Sequence, residues 1–215
     1  MKVFITTDVE GCAGIVSFTQ QAYPDGKYFE QAKRIATAEM NAAVEGVVGE
    51  GITDVLVSDG HGAGGMVWED IHPSARLIHG RPAAPRPVRD AVLRDYDVCM
   101  MTGQHSLAGT VDGNQNHTQD SLSVDYYRLN GRPIGEIAQF ALYQGALGLP
   151  LIFLSGDEAA CREVEDLIPG ITTVAVKKGL SRGSAISLSA AEAHRRIREG
   201  AAAAIRKQRE NPLPP

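Results

Sequence analysis

The chain has 215 residues, a formal net charge of −5 and a sequence pI of about 5.7. That length is sufficient for one sizeable hydrophobic core. Lysine and arginine are scattered without a basic run, which argues against nucleic acid or an anionic membrane as partner and favours a small molecule or peptide substrate. Asp8 and Glu10 interrupt the N-terminal apolar run, and no later stretch is long enough to span a bilayer. We therefore expect a cytoplasmic protein without membrane contact.

The three cysteines do not indicate a cross-linked or thiolate-ligated protein. Cys12, Cys99 and Cys161 are odd in number, far apart and without CxxC spacing. This pattern argues against a disulfide framework and against a thiolate metal site. We interpret Cys99 and Cys161 as core residues.

Two carboxylates follow the first apolar run of the chain. The segment KVFITTDVEGCAG predicts a strand that leads into Asp8 and Glu10 and then a glycine-rich turn. Residues i and i+2 of an extended segment share a face, so both carboxylates point the same way and repel each other. A cation between them would stabilise the pair. The alternative is that Asp8 and Glu10 are solvated turn residues before Gly11 and Gly14.

Apolar strands alternate with amphipathic helices along the rest of the chain. Helical spacing predicts helices over 28–50, 88–94, 133–147, 157–167 and 189–208, the last with Ser189 as N-cap. Further strands are predicted over 54–59, 77–80, 97–103, 121–129, 150–155 and 172–177. The alternation predicts an α/β fold, layered α/β/α with a mainly parallel central sheet. We expect one domain over residues 1–210. Residues 211–215 form a Pro-rich tail, which either ends the last helix or begins a further C-terminal portion.

Metal-competent side chains lie where several of these elements begin or end. They are Asp8 and Glu10, Asp59 and His61, His105, and Glu136. Because the carboxyl ends of parallel strands meet at one edge of a sheet, we expect these groups to converge there. Imidazole mixed with carboxylate suits Zn, with Mn or Co as substitutes. With Asp8 bridging, the set is large enough for two ions about 3.5 to 4 Å apart.

Each of these residues also has a structural interpretation. Asp59 in DGHG could form an Asx turn, which we favour, or orient His61. His105 could be a satisfied polar residue after a buried strand, and Glu136 could complement the dipole at a helix N-terminus. His117 lies in a polar loop over 106–119, where a histidine is often exposed; it is the best candidate for a group that acts on substrate.

At these residues the chain resembles the dinuclear-zinc D-aminopeptidases, the DppA family associated with dipeptide transport. The resemblance rests on Asp8-Val9-Glu10-Gly11, on VLVSDGH ending at His61, on TGQH ending at His105, on the loop carrying His117 and on NGRPIGE ending at Glu136. It continues through LPLIFLSGDEAA and DLIPGITTVAVKKGLSRGSA to the last helix. The similarity thus covers almost the whole chain.

The resemblance implies a zinc-dependent aminopeptidase that removes N-terminal residues, typically D-alanine, from short peptides. It implies two zinc ions held by Asp8, Glu10, His61, His105 and Glu136, with Asp8 bridging and His117 as catalytic nucleophile or base. It also implies a ring-like homo-oligomer, decameric in the best-known member. Two alternatives remain: a metallohydrolase of another amide or a phosphoester, and a non-catalytic peptide-binding or transport accessory protein.

Overall fold

A mainly parallel sheet forms the centre of the molecule. A computed structural model describes residues 1–215. Seven strands form the central sheet in the order β3-β2-β1-β4-β7-β8-β9, all neighbours parallel except β8 and β9. The chain has nine strands in all, of which β5 and β6 pair with each other outside the central sheet. The strands are β1 (Val3–Thr7), β2 (Val55–Asp59), β3 (Ala75–Ile78), β4 (Val98–Gln104), β5 (Tyr127–Leu129), β6 (Arg132–Ile134), β7 (Leu151–Asp157), β8 (Thr172–Ser181) and β9 (Ser184–Ser187).

Helices cover both faces of this sheet. They are α1 (Phe29–Gly49), α2 (Arg86–Leu93), α3 (Glu136–Ala146), α4 (Glu158–Leu167) and α5 (Ala190–Glu210). Residues of α1 and α5 form one apolar cluster with the sheet, and residues of α2, α3 and α4 form a second cluster on the opposite face. The predicted layered α/β/α fold is therefore confirmed. Cys99 and Cys161 lie in the second cluster, as expected of core residues.

Helix ends follow the local sequence signals. The Ser189 side chain accepts a hydrogen bond from the Glu192 backbone N–H, so Ser189 is the N-cap of α5 as predicted. The Asp157 carboxylate caps α4 in the same way by accepting from the Ala159 N–H. No helix is both long enough and apolar enough to cross a bilayer.

The structure corrects the prediction around residues 121–147. Only Tyr127–Leu129 of the predicted strand is extended, and the predicted helix begins at Glu136 because Arg132–Ile134 pairs with β5 as a hairpin. Asn130 and Gly131 form its turn, with φ of 50° and 83°. Positive φ at both central residues is what a two-residue hairpin turn requires, so Pro133 lies in the returning strand.

The C-terminal half of the sheet also differs from expectation, and the tail packs against the domain. Strand β8 continues to Ser181 and turns into β9, which the sequence analysis missed because the glycine-rich connection has no apolar alternation. In the tail, Leu213 is half-buried and packs against both apolar clusters. The Pro-rich tail therefore lies against the domain.

Candidate metal centre

The parallel register of three central strands brings their carboxyl ends together. Strand β1 lies between β2 and β4, and Thr7 is in register with Asp59 on one side and Thr102 on the other. The strands end at the same level, so the residues that follow them emerge at one edge. Asp8 and Glu10 follow β1, His61 follows β2, and His105 follows β4.

Two glycines allow the exits of β1 and β4 to pack closely. A Cβ on Gly11 would lie 2.0 Å from the Gln104 carbonyl oxygen, and one on Gly103 would lie 2.1 Å from the Asp8 carbonyl oxygen. Gly103 also has φ of +70°, which other residues rarely adopt. The close approach of the backbones places Asp8 and His105 on adjacent exits.

Asp8 lies between two imidazoles. Its Oδ1 is 3.2 Å from His61 Nδ1, and its Oδ2 is 3.4 Å from His105 Nε2. His61 Nδ1 is also 3.2 Å from Glu10 Oε2. The structure thus brings together the carboxylate pair after β1 and the histidines after β2 and β4.

Glu136, in the first turn of α3, completes the cluster. Its Oε1 lies 3.4 Å from His105 Nε2 and 3.6 Å from His117 Nε2. Two sets of three residues each have ligand atoms that all lie within 4.8 Å of one another. The first set is Asp8, Glu10 and His105, and the second is His105, His117 and Glu136. All five residues predicted as ligands, together with His117, therefore lie in one cluster, in which only Glu136 is partly exposed.

The donor set fits a divalent cation. His61 Nε2 lies 2.8 Å from the Ala22 carbonyl oxygen and His105 Nδ1 lies 2.9 Å from that of Ser106. Because a carbonyl oxygen only accepts hydrogen bonds, these two nitrogens carry protons. When each imidazole is neutral, its other nitrogen, His61 Nδ1 or His105 Nε2, has a free lone pair that faces carboxylates. Glu10 Oε2 and His105 Nε2 are buried without a hydrogen-bond partner. A cation between these atoms would satisfy both of them.

The electrostatics of the cluster also favour positive charge. Burial opposes protonation of His61, but Glu10 and Asp8 outweigh burial and raise the pKa of His61 to about 11. Burial and the adjacent Asp8 raise the pKa of Glu10 to about 7. Burial disfavours the charged form of Asp8, yet His105 and His61 hold the pKa of Asp8 well below its usual value. Negative side chains are thus packed where they require a cationic partner.

His117 is buried, in contrast to the exposed histidine that its polar loop suggested. It is 8% exposed, and its ring stacks on that of His105 at 3.9 Å between centroids and meets Phe18 edge-on. Its Nδ1 lies 3.0 Å from the Gln115 carbonyl oxygen, so Nε2 faces Glu136. Burial and the neighbouring His105 lower the pKa of His117. A neutral imidazole at this position can accept a proton.

Asp59 holds the loop after β2 and does not join the cluster. Its carboxylate accepts hydrogen bonds from the backbone N–H groups of Gly65 and Met66, six and seven positions on, and does not form the Asx turn that we favoured. Arg81 supports the same loop by donating to the carbonyl oxygens of Asp59 and His61. This role of Arg81 was not predicted, because nothing in the local sequence links it to His61.

Lys177 is a second unpredicted residue behind the cluster. Its ammonium group is buried and donates to the carbonyl oxygens of Glu10 and Ile15 and to Asn114 Oδ1. It therefore connects β8, the turn after β1 and the loop that carries His117. Only its position within a long apolar strand could have signalled a buried lysine.

Replacing Lys177 with methionine should destabilise the protein by about 2 kcal/mol, because three buried acceptors lose their donor. Denaturant unfolding of Lys177→Met measures the change. Lys178→Met is the matched control, since Lys178 is exposed and its 3.7 Å ion pair with Glu158 should contribute little. Equal stabilities for the two variants would contradict this assignment.

We expect the buried carboxyl group of Glu39 to make the stability of the protein depend on pH. Burial raises the pKa of this α1 carboxyl group to about 7, although it accepts a hydrogen bond from the Ala13 N–H. The folded state then holds a proton that the unfolded chain releases at lower pH, so the stability falls as pH rises from about 4.5 to about 7. Relative to Glu39→Gln, the wild-type free energy of unfolding should drop by about 1–3 kcal/mol over that interval.

Chemical denaturation at pH 5 and pH 8 tests this dependence. The exposed substitution Glu45→Gln on the same helix serves as control and should keep the wild-type difference between the two pH values. A Glu39→Gln variant with the same pH dependence as the wild type would exclude Glu39 as its source.

The fold and the cluster together define a class of protein. A parallel α/β sheet that presents carboxylates and imidazoles together at its strand ends can hold the metal ions of a metal-dependent hydrolase. The sequence model of the D-aminopeptidase family, Peptidase_M55, matches residues 1–215. The chain belongs to this family. The predicted family and the metal-dependent aminopeptidase function are therefore confirmed.

Individual relatives agree with the family match. A D-aminopeptidase of Bacillus subtilis (strain 168) is 33% identical over 218 residues, covering 100% of this chain and 78% of the relative. A solved structure described as the Zn-dependent D-aminopeptidase DppA from Bacillus subtilis, a self-compartmentalizing protease, superposes with a TM-score of 0.88. It is 29% identical, and the match covers 100% of this chain and 78% of that one.

Proposed function

We propose that the protein is a zinc aminopeptidase that releases N-terminal D-amino acids such as D-alanine from short peptides, with two ions held by Asp8, Glu10, His61, His105 and Glu136. The observation that carries the proposal is the position of Asp8, whose two oxygens face different imidazoles at 3.2 and 3.4 Å. A carboxylate placed in this way suits a bridge between two ions. The zinc dependence of the DppA structure supports the choice of metal, and Mn or Co are substitutes.

The metal site and His117 would contribute different steps of peptide hydrolysis. Zinc at this position would polarise the scissile carbonyl and lower the pKa of a nucleophilic water. His117, neutral and buried beside Glu136, would accept the proton of the attacking water and return it to the leaving amine. Glu136 also accepts a hydrogen bond from the Gln119 N–H at 2.7 Å, which holds its carboxylate towards His105 and His117.

Assembly and location extend the proposal. The DppA neighbour is described as self-compartmentalizing, which supports a homo-oligomer for this chain. We propose that the subunits form a ring. Native mass spectrometry would test whether the ring contains ten subunits. The three free cysteines, all buried, suit a reducing compartment such as the cytoplasm. The two apolar clusters, one on each face of a continuous sheet, support a single domain over residues 1–210.

The test pairs metal content with turnover. Protein purified without chelator should contain about two zinc ions per chain by mass spectrometry, the number used in two-metal hydrolase sites. It should release D-alanine from D-alaninamide faster than L-alanine from L-alaninamide. Hydrolysis of aryl phosphates without amide turnover would favour a phosphoesterase, and tight peptide binding without any hydrolysis would favour an accessory protein.

A further inference from the structure

A large cleft opens beside the metal centre between α2 and α3. It has a volume of about 880 Å³, within the range of small-molecule sites. Asp8 and Glu136 of the metal centre line it, together with two arginines of α2, Arg86 and Arg89. Its wall also includes apolar side chains from the sheet and α3, such as Phe4 and Phe140. We call this cavity the α2–α3 cleft.

The two arginines of α2 that line the cleft have no carboxylate partner. Neither forms an ion pair with any Asp or Glu of the chain. Arg89 is half-buried, and its Nε is buried without a hydrogen-bond partner. The Arg86 guanidinium lies 4.8 Å from the centre of the Tyr143 ring. Asp90, on the same helix, accepts a hydrogen bond from the Tyr143 hydroxyl group and pairs with neither arginine.

Helix α3 sets the distance between the metal centre and these arginines. Glu136 and Tyr143 are seven residues apart and both line the cleft, which corresponds to about 10 Å along a helix. Gln139 lies between them on the same wall, with its Nε2 buried and without a partner. The wall therefore presents a carboxylate, then an unpartnered amide donor, then an arginine stacked on a tyrosine.

This arrangement matches a short peptide with a free C-terminus. An aminopeptidase holds the N-terminal residue of its substrate at the metal centre, so the α-carboxylate of a short peptide lies further along the cleft, where the positive charge of the arginines attracts it. An extended chain advances about 3.3–3.6 Å per residue, so two or three residues span the distance. Guanidinium groups recognise carboxylates through paired, charge-assisted hydrogen bonds.

We propose that Arg86 and Arg89 bind the free C-terminal carboxylate of di- and tripeptide substrates, with Gln139 donating to a peptide carbonyl between the two ends. The inference rests on the proposed aminopeptidase function and specifies its substrate class. Long peptides and C-terminal amides lack the negative charge at this distance, so their kcat/KM would be lower than that of the free di- and tripeptides. The arginines thus determine specificity and do not take part in the bond-breaking step.

The test compares D-Ala-Gly-Gly with D-Ala-Gly-Gly amide on the zinc-loaded enzyme, measuring D-alanine release. The wild type should prefer the free acid by about tenfold or more in kcat/KM, the size expected for a charge-assisted hydrogen bond. The double variant Arg86→Gln/Arg89→Gln should lose this ratio. Arg94→Gln is the matched control, because Arg94 is an exposed arginine at the end of α2 and does not line the cleft.

The outcomes separate this inference from the proposed function. Two results would overturn the role of the arginines while the enzyme remains an aminopeptidase. One is equal kcat/KM values for acid and amide in the wild type, and the other is a preference for the acid that persists in the double variant. Absence of hydrolysis of both peptides would contradict the proposed function. In that case titration calorimetry with the same two peptides tests whether the arginines bind the C-terminal carboxylate. A lower Kd for the acid than for the amide, lost when Arg86 and Arg89 are replaced, supports the inference. Equal Kd values for the two peptides refute it.

Discussion

Asp8→Ala should lose both metal and activity. Asp8 is the only residue of the cluster whose two oxygens lie within 3.5 Å of two different histidines, His61 and His105. Removing it takes away the proposed bridge and leaves each imidazole with one neighbouring carboxylate, Glu10 or Glu136. We expect kcat/KM to fall by about 10³-fold or more, as in losses of essential electrostatic groups at active sites.

The measurement for Asp8→Ala combines bound zinc by mass spectrometry with D-alaninamide turnover. Asp25→Ala is the control, because Asp25 is an exposed carboxylate in the polar segment before α1 and has no place in the cluster. The control should keep both zinc and turnover. An Asp8→Ala protein with wild-type zinc content and turnover would show that the metal lies elsewhere.

His117→Ala should separate catalysis from metal binding. His117 contacts Glu136 at 3.6 Å and stacks on His105, but it does not lie beside Asp8 or Glu10 in the ligand groups. Loss of a general acid or base costs about 10²–10⁴-fold in rate. We therefore expect a fall of that size in kcat with the zinc content of the wild type.

A different result for His117→Ala would assign the residue another role. Because His117 shares a group of ligand atoms with His105 and Glu136, loss of one zinc ion in the variant would identify it as a ligand. Wild-type turnover would remove it from catalysis altogether. His194→Ala, a substitution on α5 away from the cluster, controls for the loss of an imidazole and should behave as the wild type.

The sequence was most informative where a residue follows a buried strand. Asp8, His61 and His105 could be placed at one edge because parallel strands have a fixed direction, and apolar runs show where they end. Glu136 could be placed because a glycine and a proline precede it at the start of a helical pattern. These signals are local in the sequence. Because the parallel strands end at one edge of the sheet, the residues that carry the signals lie close together in the structure.

Other parts of the site depend on contacts between distant residues and left no local signal. Lys177 reaches Glu10, 167 positions away in the chain, and Arg81 reaches the carbonyl oxygen of His61 across a loop. The burial of His117 likewise follows from Phe18 and His105 packing around it, which a polar loop sequence does not reveal. The pair of arginines in the α2–α3 cleft stands out only once α3 is seen beside α2.

The most direct test is a crystal of zinc-loaded protein measured at the zinc absorption edge. The account predicts two anomalous peaks about 3.5 to 4 Å apart, with Asp8 between them. Glu10 and His61 should lie on one side, and His105 and Glu136 on the other. A single peak, or peaks away from these five side chains, would contradict it.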